Sequence, residues 1–381
     1  MIAINRLTLQ LTKHCNLNCS YCYCHPVTKG KIEAIEINPT LEFLTRAHAL
    51  GLRHVVLTGG EPLLYPDWNM LIEFLVARKF FIALETNGIA LLDNHLEQLK
   101  KTKGHIAITL ESTCPETHDK IRHGSDAWSR AVSALRRIKQ RTSLTTQITF
   151  NLTQLTRHEM VEACVLGADL GVSRIKLNPI YRIGPRGIPG APSLYLEPED
   201  IAELAETYAL RIQNKFPFSV RLALPPALYH PNSHLSEAMC TGCDVGAILG
   251  VLHDGTIRPC HNFMYSDAHN FGSIYAAYDL EAITHSIRHL PGQDQFDLDG
   301  ICGDCLMLAK CRGFCRAQAQ NEYGTTVAPN RLCQELHEMG RFPEAMRLSN
   351  AFGEDRYAGT ITRAAKKIRV IPLINAVSPL T

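Results

Sequence analysis

Between Ile4 and about Lys215, short apolar runs rich in β-branched residues alternate with stretches whose apolar positions recur three or four residues apart. The runs Leu7–Leu11, His54–Leu57, Phe80–Thr86, Ile106–Leu110, Thr146–Asn151 and Arg174–Leu177 have strand character. Between them, Ala131, Val132, Leu135 and Ile138 keep helical spacing, as do Met70, Leu71, Phe74 and Leu75. Strand alternating with helix six times predicts a parallel sheet covered by helices. Periodicity does not choose between a doubly wound sheet and a partial barrel. In both, functional residues gather where strands end and loops begin.

The texture then changes. Pro179 to Pro198 is rich in glycine and proline and reads as loop, and a helical pattern resumes over Glu197–Asn214. Beyond Pro217, Pro225-Pro226, Pro231 and clustered cysteines replace the strand–helix alternation, which puts a boundary near 216. Ile248–Leu252 and Ile257–Pro259, joined through His253-Asp254-Gly255-Thr256, predict a β-hairpin on an Asp-Gly turn. Leu336, Met339, Phe342 and Met346 predict a helix packed on the core, and Ile368–Ile374 is a short apolar β-type run. The expected organisation is therefore 1–216, 217–345 and a tail over 346–381.

Composition narrows the function classes. A chain of 381 residues that is 45% hydrophobic can bury a large core, in two or so domains. Its 39 basic and 37 acidic residues leave a formal charge of +2, with no field to draw nucleic acid or an anionic membrane. Basic runs such as Arg136-Arg137 and Lys366-Lys367-Ile-Arg369 read as solvated helix faces. The start, Met1 to Leu7, lacks the apolar run of a signal peptide, and no stretch reaches the roughly 18 apolar residues of a membrane span. The expected location is the cytoplasm, where 14 cysteines argue for metal or cluster ligands over a disulfide framework. Only Cys114 and Cys164 stand outside two cysteine groups, and Cys164 reads as core packing.

The first group follows the first strand. Cys15, Cys19 and Cys22 stand at C-x3-C-x2-C spacing, with Tyr21 directly before the third. Three thiolates are one ligand short of a closed zinc site, whereas a [4Fe–4S] cube held by three keeps one iron open. A zinc knuckle using Cys24, or reduced core cysteines, are the other readings of this stretch. After the second strand comes Thr58-Gly59-Gly60-Glu61-Pro62. Its glycines permit close backbone approach to a ligand and its carboxylate suits an ammonium group, a simple turn being the alternative.

Together, C-x3-C-x2-C and Gly-Gly-Glu-Pro one βα unit later resemble the signature of the radical S-adenosylmethionine (SAM) enzymes. The resemblance implies an α/β fold, a partial (β/α)6 barrel open along one side. It also implies a [4Fe–4S] cluster on Cys15, Cys19 and Cys22 whose open iron takes SAM and yields a 5′-deoxyadenosyl radical. Glu85-Thr86-Asn87-Gly88 resembles that family's Thr-Asn-Gly, and Thr109-Leu110-Glu111-Ser112 ends the fourth strand where relatives carry a hydroxyl and an acid. His118-Asp119-x-x-Arg122 resembles a further pattern, with His123 inserted before Gly124. On this resemblance the cofactor-binding candidates are Tyr21, Gly59, Gly60, Glu61, Pro62, Asn87, Ser112, Arg122 and Asn151, and Glu111 is a catalytic candidate. For Glu111, Ser112 and Arg122 a helix cap or an ion pair is the alternative.

The second group comprises Cys240, Cys243, Cys260, Cys302, Cys305, Cys311, Cys315 and Cys333. Its intervals resemble the SPASM domain, which carries two auxiliary [4Fe–4S] clusters. The resemblance puts Cys243, Cys260 and Cys315, with Cys240, on one cluster and Cys302, Cys305, Cys311 and Cys333 on the other, making three in all. A double zinc ribbon is the competing reading, and Cys24 is left as core or loop filler. His261 stands directly after Cys260, where sulfatase-maturing relatives carry an aspartate base, and is a second catalytic candidate. The implied function is oxidation of a ribosomally synthesised precursor peptide, forming a C–C or thioether crosslink, with an electron donor such as flavodoxin or ferredoxin. Sulfatase-maturase-type modification and radical oxidation of a small molecule, an aminosugar or cofactor precursor, are the alternatives. A non-catalytic electron-transfer module would leave the N-terminal motifs without purpose.

Overall fold

The computed structural model describes residues 5–22, 24–181, 191–231, 233, 243, 245–291 and 298–349. All six expected strands form: β1 (Arg6–Gln10), β2 (His54–Thr58), β3 (Phe81–Thr86), β4 (Lys103–Leu110), β5 (Thr145–Leu152) and β6 (Arg174–Pro179). Each pairs in parallel with the next. The helices α1 (Ile37–Ala49), α2 (Trp68–Ala77), α3 (Asp93–Leu99), α4 (Pro115–Arg122), α5 (Ala127–Arg141) and α6 (Met160–Asp169) lie between them in sequence. Leu7, Leu9, Leu57, Leu84, Ile108, Phe150 and Leu177 are buried in the main core with Phe43, Leu71, Leu135 and Cys164 from the helices. On α2 the buried stripe is Trp68, Leu71, Ile72 and Leu75, with Met70 exposed, so the helix is turned away from the stripe expected through Met70 and Phe74.

The sheet also continues past residue 216. A short strand β7 (Ser219–Leu222) pairs in parallel with β6. It is preceded by α7 (Asp200–Thr207), which widens into a π-helical turn over Tyr208–Ile212. The expected hairpin forms as β8 (Ile248–Val251) and β9 (Ile257–Arg258), and β8 pairs in parallel with β1. The order β7-β6-β5-β4-β3-β2-β1-β8-β9 leaves β7 and β9 as unjoined ends, as a partial barrel open along one side requires. Because β1 to β6 are parallel, their C-terminal ends share one edge, and the loops leaving that edge carry the first motifs.

The remaining helices are α8 (Leu280–Arg288), α9 (Gly300–Gly303), α10 (Leu308–Cys311), α11 (Arg316–Tyr323) and α12 (Arg331–Glu338). The helix expected through Leu336 and Met346 stops at Glu338, because Gly340 takes φ +66 and turns the chain left-handed. Leu336 and Phe342 still reach the core, whereas Met339 is exposed. Cys240, Ile368–Ile374 and the basic run from Lys366 lie outside the described residues. Among the described residues no helix is long and apolar enough to cross a membrane.

Candidate active site and cysteine groups

The cysteine loop is held in place from three sides. Cys15 N–H donates to Val27 O at 3.0 Å, Ser20 N–H to Ile121 O at 3.0 Å, and Gly60 N–H to Thr12 O at 2.7 Å. The Gly-Gly-Glu-Pro loop therefore packs against protein backbone. A Cβ on Gly60 would lie 2.2 Å from His14 O, and one on Gly59 2.5 Å from Thr12 O. Close approach is the correct reason for these glycines, and the backbone of the cysteine loop is one of the things that approaches. Burial pushes the thiols of Cys15 and Cys19 up to about 12 and about 11, the latter opposed by the charge of Arg122. A hydrogen bond with Cys24 brings Cys22 down to about 7, so Cys24 is a neighbour of the motif thiols.

Glu61, expected to meet an ammonium group, is buried and braces the loops. Its carboxylate accepts from Thr86 Oγ1 at 2.6 Å, Asn87 N–H at 2.9 Å and Leu63 N–H at 3.1 Å. Pro62 opens the short 3₁₀ turn that follows. Asn87 turns its Nδ2 to Asn16 Oδ1 at 2.7 Å and stands 3.9 Å from Cys15 Sγ, beside the motif as expected.

Opposite Asn87, four candidates meet. Arg122 Nη2 lies 2.7 Å from Glu111 Oε1, both side chains nearly solvent-free. Asn151 Nδ2 donates to the Tyr21 hydroxyl at 2.6 Å and stands 3.3 Å from Glu111 Oε2. An ion-paired carboxylate so engaged holds other groups in place, which is the ion-pair alternative for Glu111 and Arg122 in a buried form. Ser112 is engaged elsewhere: its hydroxyl is buried and donates to Glu159 at 2.8 Å, while Thr113 N–H and Oγ1 reach the same carboxylate. Sequence reasoning missed Glu159, Asn16 and Asn178, whose Nδ2 donates to Asn151 Oδ1 at 2.8 Å. None carries a local signal, because each partner comes from another strand or loop.

The downstream thiols fall into two groups. Cys260, Cys315 and Cys243 are mutual neighbours, and burial holds Cys260 well above the thiol range. Cys302, Cys305, Cys311 and Cys333 line one apolar cavity with Ile301, Leu308 and Phe342. Cys302 Sγ accepts from Asn330 N–H at 3.2 Å and Cys305 Sγ from Met307 N–H at 3.4 Å. No three His, Cys, Asp or Glu side chains among the described residues converge on a single-ion position, the geometry the zinc readings require.

Asn330 lines the four-cysteine cavity and the Gln318 backbone bonds Cys315; the side-chain Nδ2 of the first and Nε2 of the second are buried without a partner among the described residues. Thiols around a cavity with spare donors fit an iron–sulfur cluster, whose sulfurs accept hydrogen bonds. His261 follows Cys260 on a 3₁₀ turn; burial pushes its imidazole down, among the charges of Glu85, Lys176 and Arg6.

Residues 9–166, which run from within β1 to within α6 and include the first cysteine motif and Gly59–Pro62, match the model of the Radical SAM superfamily. The chain carries a radical SAM domain. AdoMet-dependent heme synthase of Methanosarcina barkeri is 22% identical over 342 residues, covering 85% of this chain and 94% of that protein. PqqA peptide cyclase of Ruegeria pomeroyi is 25% identical, covering 66% of each. The structure of Streptococcus suis SuiB bound to S-adenosylmethionine superposes with a TM-score of 0.68 at 18% identity, covering 87% of this chain and 78% of SuiB. That likeness establishes the fold, which is shared by radical SAM enzymes.

Proposed function

We propose that this radical SAM enzyme is an oxidative maturase of a peptide. Cys15, Cys19 and Cys22 would hold the SAM-binding [4Fe–4S] cluster, and the two downstream thiol groups, Cys240 completing the first, would hold auxiliary clusters. Residues 1–216 would then serve radical formation and 217–345 the auxiliary sites. The observation that carries the reading is the crossing of the thiols: Cys315 leaves the Cys302–Cys311 loop to join Cys260, and Cys333 returns to take its place. Such crossing lets metal sites staple a region that has little core of its own.

When bound, the cluster and SAM would supply a 5′-deoxyadenosyl radical that takes a hydrogen atom from a substrate carbon. The chain's part is to hold the SAM end of the barrel rigid. The network of Tyr21, Glu111, Arg122 and Asn151 fixes one wall, and Glu61 with Asn87 fixes the other. Oxidation to a crosslink also releases a proton and one further electron, and closed four-thiolate sites suit electron transfer. A flavodoxin or ferredoxin would be the external donor.

A peptide substrate is supported by the relative described as a PqqA peptide cyclase and by the SuiB structure described as bound to precursor peptide SuiA. A small tetrapyrrole-like substrate is the second reading, favoured by a heme synthase match that spans nearly the whole of both chains. Sulfatase-type modification is less supported, because His261 stands in place of the aspartate.

Anaerobic reconstitution tests the assignment: about twelve irons are expected, and about four would refute the auxiliary clusters. Cys15→Ala with Cys19→Ala and Cys22→Ala should leave about eight irons and abolish reductant-dependent formation of 5′-deoxyadenosine. Mass spectrometry of a co-expressed candidate peptide should show a loss of about 2 Da per crosslink; turnover of a porphyrin precursor with no change in any peptide favours the second reading.

A further inference from the structure

Arg316 is the largest fully buried side chain of the described residues, about 1% exposed, and opens α11 directly after Cys315. Its Nη1 donates to Thr326 O at 3.0 Å and Ala328 O at 2.7 Å, and its Nη2 donates to Gly313 O. No carboxylate pairs with it among the described residues, and its Nε has no partner there. Three neutral carbonyls are poor compensation for a buried guanidinium. The first turn of a helix is also the wrong end for a cation, since the helix dipole is positive there. Space has nonetheless been made for it: a Cβ on Gly313 would lie 2.2 Å from Arg316 Nη2.

Beyond the carbonyls lies sulfur: Gly313, which accepts from Nη2, lines the four-cysteine cavity, and Cys315 precedes Arg316 in the chain. The field of Arg316 reaches Cys315 of one thiol group and Cys302 and Cys333 of the other. Cysteine thiolates on an iron–sulfur cluster leave the assembly anionic, and net charge nearby is one of the levers on cluster potential. We infer that Arg316 is the shared counter-charge of the two auxiliary sites, a positioning residue that raises the reduction potential of both clusters so that each accepts an electron more readily. The inference rests on the auxiliary clusters proposed above.

The test uses the full chain carrying Cys15→Ala, Cys19→Ala and Cys22→Ala, so that only auxiliary clusters report. Iron is counted first: failure to hold about eight irons refutes the clusters themselves, whatever Arg316 does. With iron present, midpoint potentials are read by EPR-monitored redox titration. Arg316→Gln, which keeps donors but not charge, should weaken one-electron reduction of both clusters at least tenfold, about 59 mV each. Arg316→Lys should keep both potentials close to the parent even where it unfolds more easily. Unchanged potentials in Arg316→Gln overturn the inference, as does a tenfold weakening in Arg316→Lys. Should Arg316→Gln not retain iron, Arg316→Lys decides, and loss of iron from both assigns Arg316 to scaffolding of residues 313–328 and overturns it too.

Discussion

Arg122 and Glu111 form an ion pair 2.7 Å long, with 8% and 0% of their side chains exposed, at the end of β4 beside the cysteine loop. Taking one partner from a buried pair strands the other charge, which costs about 3–5 kcal/mol, whereas removing both is far milder. Arg122→Met is expected to lower unfolding free energy by that amount, and Arg122→Met with Glu111→Leu to recover most of it. Urea unfolding of the cluster-free protein checks both.

Ser112 separates a cofactor contact from a structural one. With its hydroxyl bound to Glu159, Ser112→Ala should cost about 1–3 kcal/mol by leaving that buried carboxylate short of a donor. The Michaelis constant for SAM should stay unchanged. A raised constant with stability intact would return Ser112 to the cofactor.

Gly60→Ala should displace the cysteine loop, since the new Cβ meets the backbone of His14, which cannot swing aside. A misplacement on the order of 1 Å at such a site costs about 10²-fold in rate. Gly30, at φ +101 but with nothing within 4 Å, is the control. Its alanine variant should lose only about 1 kcal/mol of stability and cleave SAM normally.

His118 gives the protein an acid-sensitive point. Its Nδ1 accepts from Glu111 N–H at 3.1 Å, and burial, helped by the Arg122 charge, pushes its pKa down to about 3 from 6.5. The folded state thus prefers the neutral ring. Its stabilising effect is whole above pH 6.5 and is lost as pH falls from there toward 3, by about 1.36 kcal/mol per unit. Between pH 6.5 and 5, wild type should lose roughly 2 kcal/mol more than His118→Gln, in unfolding measured across that range.

Much of this was legible in the chain itself, for identifiable reasons. Strands such as Ile106–Leu110 declare themselves because a covered parallel strand must be apolar, and Arg174–Leu177 does so by alternating charged and apolar residues. Strand β7 does not, being only Ser-Val-Arg-Leu between Pro217 and Pro225. The division of the downstream cysteines into two groups came from the resemblance to the SPASM domain and not from local spacing, since Cys315 lies in sequence among the group it leaves. The pairings that decide roles were hidden: Ser112 with Glu159, Glu111 with Arg122, and the glycines with Thr12 and His14. All are contacts across the fold, which no period or local motif encodes.

The parallel pairing of β8 with β1 has a mechanical consequence. The strand that leads into Cys15 and the hairpin that leads into Cys260 share one ladder of backbone hydrogen bonds, from Arg6 opposite Ile248 to Leu9 opposite Val251. A fragment cut at 216 would bare the long side of β1 as an open edge, the kind that recruits other chains and aggregates. The segments carrying Cys15 and Cys260 therefore cannot hinge apart or be exchanged as cassettes, and the spacing between the clusters proposed on them would be set by the sheet.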